Sequence, residues 1–499
     1  AVVEAARRTQ QGALALLREA GAIASPYQFH WQRFLFEQFG QGTAFPPLPV
    51  PAVAEALPIA AVEAFSIDDS LTTEIDDALS VQGIGSGRVT FGIHIAAPAL
   101  AIAPDSPLDR VARERLSTVY LPGWKLTMLP PAVVDAYTLV EGRECPAVSL
   151  YVELDEATLE VRATETRVER VLIRTNLRHD LLDAVVTEDS LAGRAPADYP
   201  HAAELTFAFR LARALKQRRE AVRGRPESFE RPDYAFRLDG GSRGEDEPPT
   251  GDEQVEIVAR RRGAPLDLIV AEAMILANTT WGAQLAELGV PGIYRSQASM
   301  LPGVKVRMGT RPLPHAGMGV AQYAWATSPL RRYVDLVNQW QLIACARHGR
   351  TAPLAAPFRP KDAMLFSIVS SYEATSAAYL DFQRQIERFW TLRWLEQQAV
   401  AELSATVLRG GLVRAQTLPL VFELPGTEGL ARGTHVRARI AGIDLLTLEL
   451  HAVFVARLDD EPAAARADEL EDEAAEATAS GPLQLAIDVD EAGAPAAAT

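Results

Sequence analysis

The most informative segment of this chain is AFSIDDSLTTEIDDAL, residues 64–79. It places Asp68, Asp69, Glu74, Asp76 and Asp77 within ten residues, between two apolar runs that are typical of strands. Crowded carboxylates repel one another unless a cation holds them, and hard divalent cations prefer oxygen ligands. The stretch therefore predicts a Mg²⁺ site, with Mn²⁺ as the alternative ion, on an acidic loop between two strands.

The flanks of this acidic loop strengthen the prediction. Ile67 leads directly into Asp68, and Asp77 leads directly into the apolar run 78–81. After a glycine-rich turn at residues 83–87, apolar side chains alternate with others, which indicates a further strand. Carboxylates at the ends of strands are held rigidly, as a metal site requires. The competing interpretation is an ordinary solvated acidic loop.

Length and composition indicate a globular enzyme with several domains. The chain has 499 residues, of which 48% are hydrophobic and 23% are charged. Its two cysteines, Cys145 and Cys345, lie far apart, which argues against a disulfide framework or a thiolate zinc site. The sequence shows no pattern of a signal peptide and no apolar run of membrane-spanning length. We therefore expect a cytoplasmic protein with no membrane partner, and we expect a monomer.

The distribution of charge matters more than its sum. The net charge is −16, but residues 459–499 hold twelve acidic residues and one arginine, which leaves −5 for residues 1–458. That larger part keeps basic clusters at residues 216–219 and 260–262. Such clusters predict contacts with a phosphate backbone, although a solvated helix face explains each of them equally well.

Periodicity and punctuation predict an α+β chain with four parts. Residues 1–60 read as a small helical domain and linker, in which two helices and a short turn are compatible with a helix-turn-helix. Residues 61–400 read as strands followed by helices. Residues 401–458 contain short β-rich runs separated by Gly and Pro, which favour a small barrel of the oligonucleotide-binding (OB) type. The acidic residues 459–499 are expected to be disordered.

A second informative segment is TSPLRRY, residues 327–333. Ser328 is a favourable N-cap and Pro329 a favourable first helical residue, so the pattern predicts a helix over 328–348. Arg331 would then lie in the first turn, where a cation is unfavourable unless an anion docks there. The alternative is an ion pair between Arg331 and Asp335, a role that Arg332 is equally able to fill.

Two further residues stand out from their surroundings. Glu272 lies on an apolar face of a predicted helix over 266–288, so it needs a partner, either a core arginine or a bound ligand. Tyr120 precedes a proline turn, where its ring is able to stack on a nucleic-acid base or to fill a core position.

Taken together, these segments resemble the ribonuclease II (RNB) family of processive exoribonucleases. The motifs occur in the order of the family between residues 65 and 396. They are the acidic loop, YLP at 120–122 with MLP at 128–130, FERPDY at 229–234, EAMI at 272–275, and TSPLRRY at 327–333. The resemblance implies an RNB catalytic domain over 61–400, with a mixed β-sheet wrapped by helices, followed by an OB-fold RNA-binding barrel.

The resemblance also implies an activity and a set of site residues. The activity is hydrolysis of single-stranded RNA from its 3′ end, releasing nucleoside 5′-monophosphates with two Mg²⁺ ions. The implied metal and catalytic residues are Asp68, Glu74, Asp76 and Asp77, with Asp76 essential for the chemical step and Arg331 stabilising the attacked phosphate. The implied RNA-binding residues are Tyr120, Phe229, Glu272, Arg331 and Arg332.

The sequence departs from the family pattern at several places. Glu74 stands where the family usually has Asp, and Ala97 stands where members often have Asp. Residues 1–60 look helical, whereas the family is expected to carry two cold-shock barrels there. These departures keep three alternatives open, namely an inactive RNA-binding relative, a DNA exonuclease with the same metals, and an interaction protein whose acidic loop is only surface.

Overall fold

The computed structural model describes residues 13–227, 232–240, 247–261, 263–301 and 303–458. The strands are β1 (Ile59–Asp68), β2 (Asp77–Gln82), β3 (Arg88–Ala96), β4 (Val119–Leu121), β5 (Trp124–Leu126), β6 (Glu144–Asp155), β7 (Val161–Arg178), β8 (Pro232–Asp239), β9 (Gln254–Arg261), β10 (Tyr294–Ser296), β11 (Arg307–Gly309), β12 (Glu402–Val407), β13 (Leu412–Ala415), β14 (Val421–Glu423), β15 (His435–Asp444) and β16 (Glu449–Arg457). The helices are α1 (Ala13–Glu19), α2 (Pro26–Gln38), α3 (Pro107–Arg115), α4 (Pro131–Tyr137), α5 (His179–Leu182), α6 (Glu188–Leu191), α7 (Ala202–Arg223), α8 (Pro265–Glu287), α9 (Tyr333–His348), α10 (Ala352–Ala355) and α11 (Ala363–Gln397). Three short 3₁₀ turns lie at Pro98–Leu100, Ala316–Met318 and Gly349–Thr351.

The acidic loop lies at the edge of a closed barrel with the strand order β1-β2-β3-β6-β7. The neighbours along this order are antiparallel, and β7 closes the barrel by pairing with β1 in parallel. In that parallel register Asp68 is the partner of Arg178, so the carboxyl ends of β1 and β7 lie side by side. The acidic loop leaves the barrel at this edge and returns through β2, as the sequence predicted.

Long helices supply the rest of the main core. Helix α8 is apolar on nearly all sides, and α7 and α9 lie in the same hydrophobic cluster as the barrel interior. A helix that is apolar all round is stable only when it is buried, which explains its central place. Glu272 is therefore enclosed on α8, with only 2% of its surface exposed.

A second β-unit follows the helices, and it has the strand order β14-β13-β12-β15-β16. It confirms the α+β class and the OB-type barrel that the short β-rich runs of residues 401–458 predicted. Helix α11, 35 residues long, leads into this unit and shares its hydrophobic cluster. The predicted helices of the N-terminal part are present as α1 and α2, within the residues described there.

Helix α2 does not build a separate core. Phe34 stacks on Phe382 of α11 with 3.9 Å between ring centroids, and Tyr27 meets Phe389 edge-on at 5.3 Å. These aromatic side chains belong to the same cluster as the OB-type barrel. Helix α2 is thus held against α11 by aromatic packing, which contributes about 0.5–1.5 kcal/mol per ring pair beyond burial.

The start of α9 corrects one expectation. The helix begins at Tyr333 with Arg332 as its N-cap, whereas the sequence predicted Ser328 as the cap. Residues 328–332 form a turn instead, in which the backbone N–H of Arg332 donates to the carbonyl of Ser328 at 2.9 Å. The tertiary contacts hold this turn, because the N–H groups of Ser328 and Leu330 donate to the carboxylates of Asp335 and Asp76.

Two further findings concern the helices and the cysteines. Among the described residues, no helix is both long enough and apolar enough to cross a bilayer. Cys145 and Cys345 are both buried and carry free thiols.

Candidate active site

Asp76 and Arg331 join the acidic loop to the turn before α9. The Arg331 Nε atom donates to Asp76 Oδ2 at 3.2 Å, and the N–H of Leu330 donates to Asp76 Oδ1 at 2.9 Å. Asp76 is only 3% exposed, and burial raises its pKa to about 7 although Arg331 opposes that shift. One arginine and one amide therefore leave the carboxylate short of positive charge.

Asp68 and Asp77 lie where β1 ends and β2 begins. The residue surface of Asp68 is half-buried, but its Oδ2 atom is fully enclosed and has no hydrogen-bond partner among the described residues. Burial raises the pKa of Asp68 to about 6. Burial, together with the charges of Asp68 and Asp76, raises the pKa of Asp77 well above its usual value. A divalent cation would satisfy the orphaned oxygen and the missing charge, so these residues fit the predicted ion.

The three aspartates do not form a tight cage in this structure. In the described part of the chain, three ligand atoms that all lie within 4.8 Å of one another occur instead at Asp69, His179 and Asp180. The reason is visible at Asp76, whose two oxygens point to Leu330 and Arg331. Asp68 and Asp77 are thus the carboxylates best placed to hold an ion.

Glu74 faces protein donors. Its Oε1 accepts a hydrogen bond from Thr118 Oγ1 at 2.8 Å, and its Oε2 accepts from Tyr120 OH and Lys125 Nζ, both at 3.1 Å. The side chain is only 4% exposed, so these three donors satisfy it. Its assignment to the metal set stays a prediction, and its contacts favour a role in fastening the β4–β5 hairpin to the acidic loop.

Tyr120 is held in place by this same carboxylate. The Tyr120 hydroxyl donates a hydrogen bond to Glu74. Lys125 is the cross-strand partner of Tyr120 in the hairpin, and it also contacts Thr73 Oγ1. Burial and the charge of Glu74 raise the pKa of Tyr120 well above its usual value, so it stays a neutral phenol at physiological pH. The ring orientation is thereby set before any ligand arrives.

Arg332, rather than Arg331, forms the ion pair with Asp335. Its guanidinium contacts Asp335 at 2.9 Å and lies 4.3 Å from the ring centroid of Trp325. Arg332 is 7% exposed and Asp335 is fully buried. These contacts give Arg332 a structural explanation and leave Arg331 as the arginine that faces the aspartates.

Glu272 also has a protein partner. Arg219 on α7 donates from Nε to Glu272 Oε2 at 3.0 Å, and its Nη2 atom donates to Glu272 Oε1. The same arginine contacts Glu227 and the carbonyl oxygen of Met318. The core-arginine alternative therefore accounts for Glu272, while Phe229 lies outside the described residues.

Sequence reasoning missed the residues that support the site. Thr118, Lys125 and Arg178 contact or face the predicted residues, yet none of them lies in a pattern that marks it. Arg219 belongs to the basic cluster 216–219 that was predicted to contact a phosphate backbone, but it is buried and bound to Glu272. A partial signal exists only for Arg219, because a buried Glu272 demanded a cation somewhere in the core.

Comparison with known proteins gives a family match over more than half of the chain. The model of the RNB domain matches residues 58–302 and 298–348, which include every element that carries the aspartates and Arg331.

Curated relatives match with low identity. An uncharacterized ribonuclease of Synechocystis is 28% identical over 422 residues, covering 78% of this chain and 58% of that protein. The chloroplastic/mitochondrial ribonuclease II of Arabidopsis thaliana is 27% identical, covering 76% of this chain and 48% of that protein. The chain spans about half the length of the curated relatives it matches.

Solved structures share the fold. RNase R of Mycoplasma genitalium, in complex with ribose-methylated single-stranded RNA, aligns with a TM-score of 0.65 at 15% identity, covering 80% of this chain and 72% of that one. An active-site mutant of the Dss1 exoribonuclease from Candida glabrata aligns with a TM-score of 0.66 at 22% identity, covering 81% and 58%. Yeast Ssd1, a pseudonuclease, aligns with a TM-score of 0.56 at 16% identity, covering 80% and 55%.

Proposed function

This chain belongs to the RNB domain family, and from that premise we propose that it is a divalent-metal-dependent hydrolase that removes nucleotides from the 3′ end of single-stranded RNA. The observation that carries the proposal is the set of buried, under-compensated aspartates facing Arg331. The products would be nucleoside 5′-monophosphates, released processively as the strand threads toward the aspartates.

The metal would be held by Asp68 and Asp77. Asp68 Oδ2 is enclosed, Asp77 is buried, and burial raises the pKa of both carboxyl groups. When bound, divalent ions supply activation of the attacking water and stabilisation of the leaving 3′-oxygen. Mg²⁺ fits oxygen-only ligands best, and Mn²⁺ is the natural substitute.

Arg331 and Asp76 act as a pair. In the structure the guanidinium of Arg331 is bound to Asp76 and to Ser328 Oγ, and about a fifth of its side chain is exposed. A phosphate oxygen arriving beside it would share these donors, and the charge that develops on phosphorus would strengthen the contact. Asp76 keeps the guanidinium oriented so that no rearrangement is needed during the reaction.

The β4–β5 hairpin would position the RNA strand. Tyr120 offers its ring as a stacking surface, worth about 1–3 kcal/mol per base, and its contact with Glu74 sets the height of that ring above the acidic loop. Positioning of the scissile bond in this way converts binding energy into rate.

The test is single-turnover digestion of a 5′-labelled single-stranded RNA by the Asp76→Asn variant. We expect loss of hydrolysis by about a hundredfold or more with RNA affinity retained, because the amide keeps the Leu330 contact and loses the charge. The matched control is Asp198→Asn, an exposed aspartate that should leave turnover unchanged. Unchanged turnover in Asp76→Asn would contradict the proposal, and a deoxyribose substrate distinguishes RNA from DNA hydrolysis.

A second candidate function is an inactive RNA-binding relative. Two observations favour it. Both Glu74 oxygens are engaged by protein donors, and within the described residues the three aspartates do not form a group of ligand atoms that all lie within 4.8 Å of one another. One structurally similar protein is described as a pseudonuclease. Binding of labelled RNA without any release of mononucleotides in Mg²⁺ or Mn²⁺ would establish this candidate instead.

A further inference from the structure

A second set of potential metal ligands lies at the same edge of the barrel. A ring nitrogen of His179 and one carboxylate oxygen each from Asp69 and Asp180 all lie within 4.8 Å of one another. The topology explains the meeting, because β1 and β7 are parallel and Asp68 is paired with Arg178. The residues that follow each strand must therefore leave the barrel together.

His179 supplies the observation that points to a ligand. It is 97% buried, and its Nδ1 atom has no hydrogen-bond partner among the described residues. A buried polar atom without a partner costs about 1–3 kcal/mol, so such an atom calls for an explanation. One explanation is a metal ion that accepts the lone pair of the imidazole nitrogen, and the neighbouring carboxylates support it.

The two carboxylates are oriented by the loop. Asp69 Oδ1 accepts the N–H of Leu71 at 2.8 Å, and Asp180 Oδ1 accepts the N–H and the hydroxyl of Ser70 at 3.0 and 2.9 Å. Among the described residues these hydrogen bonds use only the Oδ1 atom of each carboxylate. Both side chains are thus held in place while retaining an oxygen for a ligand.

The two nearby arginines bind other acceptors. Arg178 donates to the backbone carbonyl of Asp69 at 2.9 Å rather than to its carboxylate. Arg260, whose charge is felt by His179, is bound by Asp183 and Asp267, each at 2.7 Å. Both guanidinium groups therefore bind acceptors other than the carboxylates of Asp69 and Asp180.

We propose that Asp69, His179 and Asp180 bind one transition-metal ion, with Zn²⁺ as the best match, separately from the ion at Asp68 and Asp77. One imidazole nitrogen and two carboxylate oxygens are ligands that Zn²⁺ accepts, whereas Mg²⁺ prefers oxygen alone. With metal–ligand bonds of about 2.0–2.2 Å, the ligand atoms of such an ion lie roughly 3–4 Å apart, within the observed limit. The bound ion would cross-link the start of the acidic loop to α5. This proposal does not depend on the proposed exonuclease activity.

The test uses Co²⁺ as a spectroscopic probe on the full chain in excess Mg²⁺, which saturates the oxygen-only site. Co²⁺ bound to a nitrogen-containing site of low coordination number absorbs in the visible range, and Zn²⁺ displaces it. The variants are Asp180→Asn, His179→Gln, Asp77→Asn and the exposed control Asp198→Asn. Asp180 is exposed, so its asparagine variant should fold, and circular dichroism verifies this for every variant.

We expect one Co²⁺ per chain, displaced by one Zn²⁺. The dissociation constant should rise about tenfold or more in Asp180→Asn and His179→Gln, and stay unchanged in Asp77→Asn and Asp198→Asn. Absence of stoichiometric binding, or equal affinity in Asp180→Asn, would overturn the proposal. So would an equal loss in Asp77→Asn, since that would assign the ion to the catalytic cluster.

Discussion

The metal-free protein should lose stability as the pH rises, because it buries aspartates that resist ionisation. The pKa of Asp76 is raised by burial to about 7, whereas an aspartate in an unfolded chain titrates near 3.9. Between these values the folded state holds a proton that the unfolded state has released. A raised folded pKa means that this contribution to stability is full at low pH and is lost as the pH rises toward 7.

The size of the effect follows from the same two values. The whole shift of about three pKa units corresponds to about 4 kcal/mol, of which roughly 3 kcal/mol falls between pH 5 and pH 8. For a chain of this length, that change lowers the Tm by about 3 °C. A bound divalent ion supplies the missing charge, so Mg²⁺ should raise the Tm strongly at pH 8 and little at pH 5.

The assay is thermal unfolding in EDTA and in Mg²⁺, at pH 5 and pH 8, for the parent chain and for Asp76→Asn. The asparagine cannot titrate, so the difference in stability between parent and variant reports the titration of Asp76 together with its influence on the neighbouring Asp77. That difference should change by about 3 kcal/mol, to the disadvantage of the parent, between the two pH values in EDTA. A constant difference would refute the reasoning, because Asp76 would then carry no extra proton in the fold.

Three further predictions address the other contacts. Arg331→Lys should lower the single-turnover rate by about tenfold to a hundredfold, with a smaller change in RNA affinity, because an ammonium cannot contact Asp76 and a phosphate in the same planar fashion; equal rates would remove Arg331 from the reaction. Glu74→Gln should cost about 1–3 kcal/mol in a denaturant titration and weaken binding of short RNA, since one acceptor oxygen for Lys125 and Tyr120 is lost; an increase in Mg²⁺ dissociation constant as the main effect would instead favour the metal role. Glu272→Ala should cost about 3 kcal/mol, because Arg219 loses its most buried partner and keeps Glu227, which is more exposed; a second change, Arg219→Met, should restore part of that loss in the same titration.

Local patterns were sufficient for the elements that have a clear period. The alternation after the glycine-rich turn predicted β3, the continuous apolar run around Glu272 predicted α8, and the position of the acidic loop between β1 and β2 followed from its apolar flanks. These features depend on residues within about ten positions of one another, where backbone geometry alone links sequence to structure.

The partners of the charged groups could not be obtained in this way. Arg331 binds Asp76, which is 255 residues away in the chain, and this contact also moved the start of α9 to Tyr333. Glu74 turned toward Tyr120 and Lys125 because the β4–β5 hairpin packs beside the acidic loop. No periodicity encodes which distant donor reaches a given carboxylate.

The closed barrel shows which features follow from the sequence alone and which require the tertiary structure. The carboxylates after β1 are close together in the sequence, so their charge and their place at the end of a strand follow directly from the sequence. The meeting of Asp69 with His179 exists only because β7 returns parallel to β1, and strand pairing over a hundred residues is set by the packing of the whole core rather than by local preference.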